Sequence, residues 1–151
     1  MSRGLLLRGK SFYREVKRVL KPKGIIAIWC YGLLEIPHAS DSLNVALQEF
    51  YDQIESCWPP ERQLIDTQYQ TISFPFSDIP TPNYSMTHDW TVKQLIGYFT
   101  TWSATQKYIK IHGEDNLLTL MTEISNKWSL TTQIMTINWP LFLRVGQNVI
   151  I

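Results

Sequence analysis

The chain has 151 residues, 44% hydrophobic, 13% aromatic and 18% charged, the balance of a protein that folds around a core and not of a disordered one. A formal net charge of +1 leaves no electrostatic footprint for nucleic acid or an anionic membrane. The longest apolar run, residues 25–34, is about half the roughly 20 residues a spanning helix needs. MSRGLLLRGK has too few leucines for a signal peptide, so a soluble, cytoplasmic protein is expected. Cys30 and Cys57 form no CxxC pair, and Cys30 reads as a buried thiol in a reducing compartment.

Residues 1–10 show no periodicity and read as an unstructured lead-in. Ser11 can cap a helix in which Phe12, Val16, Val19 and Leu20 share one face. Its basic residues Arg14, Lys17, Arg18, Lys21 and Lys23 read as a solvated face, with an anion site as the alternative. Pro22 and Gly24 end the helix. Ile25 to Tyr31 (IIAIWCY) follows as a strand without polar residues, the pattern of a parallel strand buried on both faces. Ser40 to Ser42 offer caps for a helix with Leu43, Leu47, Phe50, Tyr51 and Ile54 as its stripe, ended by Pro59-Pro60.

Thr67 to Phe76 alternates and reads as a strand, and SDIPTPNYS (77–85) reads as a loop. Thr91 with Gln94, and Ser103 with Gln106, have capping-box spacing, predicting helices over 92–101 and 104–110. A third helix is expected over 114–128, with Leu117, Leu120, Met121, Ile124 and Trp128 inward. LTTQIMTINWPLFLRVG reads as two strands bending near Asn138 to Pro140. The pattern is mixed α/β, but a strand buried on both faces and both edges needs neighbours on each side. The three further strands are not of the interior parallel type. Either another chain supplies the missing strands or this is part of a larger domain.

The opening stretch carries a resemblance. Phe12, Glu15, Arg18, Val19, Leu20, Lys21, Pro22 and Gly24, followed by an apolar strand, resemble the segment entering the fifth strand of class I S-adenosylmethionine-dependent methyltransferases. Lys23 stands where that family usually has the first of two glycines, a departure expected to affect turn geometry. The segments YQTISFPF (69–76), QLIGYFTTWSATQKY (94–108) and WPLFLRVG (139–146) are similar to the small-molecule branch that includes trans-aconitate methyltransferase.

The resemblance implies that residues 11–151 form the C-terminal half of a Rossmann-like methyltransferase domain with a helical cap. The family's first four strands are missing, and with them the glycine-rich turn and ribose-binding acid that hold S-adenosylmethionine; no G-x-G-x-G occurs in the chain. It implies methyl transfer to a small molecule, and inactivity for this fragment alone, so whether the chain is itself an enzyme stays open. The alternatives are a non-catalytic remnant associating through its sheet edge with a complete methyltransferase or with its own kind, and a small aromatic-lined binding domain.

Ligands of open parallel sheets bind beyond the strands' carboxyl ends, which makes Tyr31 and Gly32 substrate-pocket candidates. Packing on the sheet end is the equal alternative for Tyr31. Tyr98 and Trp102, on the cap-like helices, are further candidates, with core packing the simpler reading. His88-Asp89 and Glu35 with His38 are candidate acid/base pairs, against the ordinary reading of surface residues. The scattered histidines give no metal-ligand spacing. Ser103 lacks a G-x-S-x-G elbow, and Arg144 either steers an anionic substrate or faces solvent on an edge strand.

Overall fold

The computed structural model describes residues 9–128 and 133–149. In chain order the elements are α1 (Gly9–Val19), β1 (Ile25–Tyr31), α2 (Asp41–Ile54) with a 3-10 turn (Glu55–Cys57), and α3 (Arg62–Asp66). They continue with β2 (Ser77–Ile79), β3 (Tyr84–Trp90), α4 (Val92–Thr100), α5 (Ser103–His112), α6 (Asp115–Lys127) and β4 (Met135–Gln147). The chain is mixed α/β, as expected. It divides into two compact units, one made of Met1–Leu33, Glu61–Met86 and Trp139–Ile151, the other of Leu34–Pro60 and Thr87–Asn138.

The first unit is built on β1. Its seven residues pair antiparallel with β4, from Ile25 opposite Gln147 to Tyr31 opposite Leu141. β2 pairs antiparallel with β4 on the other side, Ser77 to Ile79 against Gln147 to Val145, and β3 also pairs with β4. β1 is therefore an edge strand among the described residues. Its even-numbered side chains, Ile26, Ile28 and Cys30, are buried. They face a cluster of Tyr13 and Phe76, against which Phe12, Val16, Leu20, Tyr69, Ile72 and Phe74 pack. The odd-numbered side chains point away, leaving Ile25 50% and Trp29 62% exposed. Among the described residues one layer covers β1 and its paired neighbour is antiparallel, so the covering on both faces expected of such a strand is not supplied by them.

Local chemistry accounts for other departures. α1 starts at Gly9, so residues 9 and 10 are helical and Ser11 lies inside the helix; residues 1–8 of the expected lead-in fall outside the described residues. Val19 is exposed, and Tyr13 is the buried aromatic of α1. Thr67 to Phe76 is not a strand. The Thr67 hydroxyl donates to the Gln63 and Leu64 carbonyls at the end of α3, and Gln68 and Tyr69 hold φ of 53° and 61°, breaking extended geometry. The apparent alternation comes from Tyr69, Ile72, Phe74 and Phe76 turning one after another onto the cluster under β1. The loop read over 77–85 shrinks to the prolines and Asn83 between β2 and β3. β4 runs unbroken through Pro140, whose carbonyl accepts the Gly32 N–H at 2.9 Å.

The second unit is helical. Ser40 caps α2 by accepting the Leu43 N–H, and the Gln94 side chain accepts the Thr91 N–H at the start of α4. Trp102, not Ser103, occupies the N-cap position of α5, and Gln106 donates to the Thr100 carbonyl. Leu43, Leu47, Phe50 and Ile54 of α2 and Leu117, Met121 and Ile124 of α6 are buried, as is Trp128, whose indole N–H donates to the Gln133 carbonyl at 2.8 Å.

The turn into β1 shows what Lys23 costs. Pro22 is the second residue of a turn closed by the Gly24 N–H on the Lys21 carbonyl, 2.8 Å, and Lys23 in third place has φ 61°. Such a turn favours glycine there. Lys23→Gly is expected to raise stability by about 0.5–1 kcal/mol, the relieved left-handed strain less glycine's added unfolded-state entropy; a loss of stability in denaturant melts would refute it.

Candidate functional site

An aromatic cluster in the helical unit is the most concentrated chemistry-bearing feature among the described residues. Tyr51 comes from α2, Trp58 from the 3-10 exit, Trp90 from the end of β3, Tyr98 and Phe99 from α4, and Trp102 from the α4–α5 junction. The Tyr51 and Trp102 rings stack at 5.9 Å and 22°, Tyr98 meets Trp102 edge-on at 5.4 Å, and Trp58 tilts against Trp102 at 5.3 Å. Trp90 meets Tyr98 edge-on at 5.3 Å. Beneath them Phe50 and Phe99 stack at 4.6 Å, and both are fully buried. Tyr51, Trp58, Trp90, Tyr98 and Trp102 are half-buried, so the cluster has a packed floor and a partly accessible rim. Such a rim offers stacking faces to planar or cationic groups.

Tyr98 and Trp102, the helical candidates, therefore come together, Tyr98 on α4 and Trp102 at its junction with α5. Tyr51 belonged to the apolar stripe of α2 in the sequence reading, but Trp58 and Trp90 had no signal beyond being tryptophans beside a proline pair and a helix start. Trp102 touches five aromatic neighbours: Phe50, Tyr51, Trp58, Tyr98 and Phe99.

Tyr31 and Gly32 belong to the first unit. Tyr31 ends β1 and is 37% exposed on the uncovered face. A Cβ on Gly32 would lie 3.1 Å from both Phe142 and Pro140, so this glycine admits its own sheet neighbours and leaves no gap for a ligand. Gly24 and Gly146 are filled in the same way, by the Lys21 carbonyl and by Phe74 and Phe76. Gly24, Gly32 and Gly146 therefore form no open cradle where a cofactor could approach the backbone.

The remaining candidates resolve into structural roles. Arg144 is neither free nor solvent-facing: it pairs with Asp78 at 3.1 and 3.2 Å, donates to the Ile72 carbonyl at 2.9 Å and lies 4.5 Å over the Phe74 ring. This holds the Asp78 carboxyl below its ordinary range. Burial pushes the Cys30 thiol up, partly offset by a hydrogen bond from Tyr69, and burial also raises the Tyr69 hydroxyl. Cys30 is thus a buried core thiol whose surroundings favour the protonated form. The Asp89 carboxylate accepts from Thr136 at 2.8 Å, while the ring of His88 meets the Asp89 backbone carbonyl at 3.3 Å and lies 5.9 Å from the Trp90 ring. Glu35 exchanges backbone bonds with Asn138 at 2.8 Å; its side chain and that of His38 are exposed. Lys17 lies over the Phe76 ring and Arg18 pairs with Glu15 at 2.6 Å, as a solvated helix face would. Among the described residues no group of three or more His, Cys, Asp or Glu could hold a metal ion, and no helix is long and apolar enough to cross a membrane.

A solved structure from Anaeromyxobacter dehalogenans, of a protein assigned as a type II methyltransferase, matches with a TM-score of 0.85 over 97% of this chain and 62% of that one, at 23% identity. The chain shares its fold with that protein. A Dictyostelium discoideum protein assigned as a methyltransferase is 29% identical over 141 residues, 91% of this chain and 54% of its own length. No family model matches. The chain spans about half the length of the curated relative it matches.

Packing and ligand roles for the cluster are separable. If Trp102 is held chiefly by its five ring neighbours, Trp102→Ala is expected to cost about 2–3 kcal/mol, less than a fully buried tryptophan. Denaturant unfolding checks this; a loss under about 0.5 kcal/mol, the range of ordinary surface changes, would show the ring is spare of packing.

Proposed function

We propose that this chain forms the part of an S-adenosylmethionine-dependent, small-molecule methyltransferase lying outside the cofactor cradle, of the type similar to trans-aconitate methyltransferase. The observation that most supports this is the 141-residue match to the Dictyostelium protein, with the shared fold beside it. When bound, the cofactor would supply a methyl group on a sulfonium. The chain is assigned no step through it. Its own contribution is walls. Tyr98 and Trp102, with Trp58 and Tyr51, present aromatic faces that would exclude water from an acceptor and fix its orientation. Tyr31, at the carboxyl end of β1, adds a ring on the uncovered face of the sheet, while Gly32 is closed over by Phe142 and Pro140.

A second reading, a non-catalytic chain that associates with a complete methyltransferase, is favoured by the open edge of β1. S-adenosylmethionine titration and labelled-methyl transfer separate the two. The chain alone is expected to bind no cofactor. A fusion of this chain to the unmatched part of the Dictyostelium relative is expected to bind it and to label a small-molecule acceptor. Turnover by the chain alone, or a folded fusion that binds no cofactor, would overturn the proposal; cofactor binding without transfer to any small acceptor would favour the non-catalytic reading.

A further inference from the structure

The aromatic cluster sorts its rings by depth. Its floor is phenylalanine, Phe50 and Phe99, fully buried. Its rim, Tyr51, Trp58, Trp90, Tyr98 and Trp102, is tyrosine and tryptophan and half-buried. These are the rings that tolerate one wet side, and tryptophan presents the face most attractive to a cation. The rim is not a slot for a flat molecule. Its near-parallel pair, Tyr51 and Trp102 at 22°, is already stacked ring on ring. The other contacts are steep, 82° between Tyr98 and Trp102, 50° between Trp58 and Trp102 and 62° between Trp90 and Tyr98. Faces at such angles suit a rounded charged group better than an intercalated plane.

Charge fixes the sign of that group. The net +1 of the chain hides a division between its two units. The helical unit, Leu34–Pro60 with Thr87–Asn138, carries nine acidic residues against four lysines and no arginine, a formal −5, so the first unit carries +6. Residues 34–60, which supply Tyr51 and Trp58, hold five of those acids and no lysine or arginine. One of the five is placed on the rim. Glu55 follows Tyr51 by one helical turn and precedes Trp58 by another, with the Trp58 N–H closing that turn on the Glu55 carbonyl at 3.2 Å. Tyr51 and Trp58 both reach the Trp102 ring, so Glu55, itself exposed, stands on the side of α2 that faces the rim. Asp52 is engaged by the Gln48 amide at 2.6 Å, and Glu49 lies on the far side of the helix by spacing. Lys93, the lysine of α4, is five residues from Tyr98, roughly 140° around that helix.

We propose that the Tyr51–Trp58–Tyr98–Trp102 rim recognises the ammonium group of a small organic cation through its ring faces, with the Glu55 carboxylate as counter-ion. Such a cation is then the class of acceptor that the proposed methyl transfer would serve. The naming of an acceptor rests on that proposed function; recognition of the cation does not, because it is read by binding alone. A polycarboxylate acceptor is disfavoured by the same field. Arg144, the residue considered for steering an anion, belongs to the other unit and is already bonded to Asp78 and to the Ile72 carbonyl.

The test titrates the chain, without S-adenosylmethionine, with choline and with 3,3-dimethylbutan-1-ol, which has the same shape and no charge, following the tryptophan indole N–H signals by NMR. Choline is expected to bind roughly tenfold more tightly than the alcohol, moving the signals of Trp58 and Trp102 and not that of Trp128, which is fully buried in the same unit. Glu55→Gln, a change at an exposed residue, is expected to weaken choline about threefold and leave the alcohol unchanged. Trp58→Leu is expected to weaken choline further, and Trp29→Leu, at the exposed tryptophan of β1, to change neither. Equal affinity for the two probes overturns the proposal, as does a lack of choline binding or a choline response that Trp29→Leu removes and Glu55→Gln does not touch. Methyl labelling of an anionic acceptor by the fused protein, without preference for choline, would overturn this inference and leave the enzyme reading intact. Choline selectivity lost on Glu55→Gln supports the cation site even where no acceptor is labelled.

Discussion

A strand that is apolar on both sides is satisfied only between two layers, and the described residues supply one. Ile26, Ile28 and Cys30 are closed over by α1 and the aromatic segment before β2, while Ile25 and Trp29 stay in solvent. The rest of the first unit is arranged to hold that single layer down. Arg144 reaches through the covered face to bind Asp78 and the Ile72 carbonyl and to cover Phe74. This ties the irregular segment 67–76 to β4 without a ladder of its own. Gly146 is needed because Phe74 and Phe76 press to within 2.5–2.7 Å of where its Cβ would be.

The functional reading follows from that imbalance. The covered side of the sheet is occupied by the chain's own aromatics and backbone, leaving no open glycine cradle. The aromatic rim of the helical unit has accessible ring faces but no nucleophile, metal set or titrating pair among the described residues. The proposed role, shaping and drying a substrate's surroundings, rests on those ring faces, and two longer proteins assigned as methyltransferases resemble the chain in sequence or fold.

Much of this was legible in the sequence where pattern and packing coincide. The stripes of α2 and α6, the cap at Ser40, the Gln94 side chain on the Thr91 N–H, and β1 itself follow from periodicity and turn chemistry. Lys23 announced a turn problem that the positive φ confirms. β2 and β3 were illegible because their residues are exposed apart from the half-buried Trp90, so backbone pairing to β4 holds them and leaves no hydrophobic signature. Thr67 to Phe76 misled because side chains falling onto a common cluster can imitate alternation without extended backbone. The bare face of β1 could not be read from IIAIWCY, since a sequence shows what a strand would bury and not what the chain has available to bury it. Tyr98 and Trp102 were legible as helix neighbours; their meeting with Trp58 and Trp90 depends on tertiary structure.

The central claim is that β1 in this chain is bonded on one edge and open on the other. Site-resolved amide hydrogen exchange on the chain as a monomer tests it most directly. Slow exchange at Ile26, Ile28 and Cys30, with fast exchange at Ala27 and Trp29, is the result the register requires. Uniform protection of all five amides in the monomer would mean that some part of the chain already covers that edge, and the account of an unfinished sheet would be wrong.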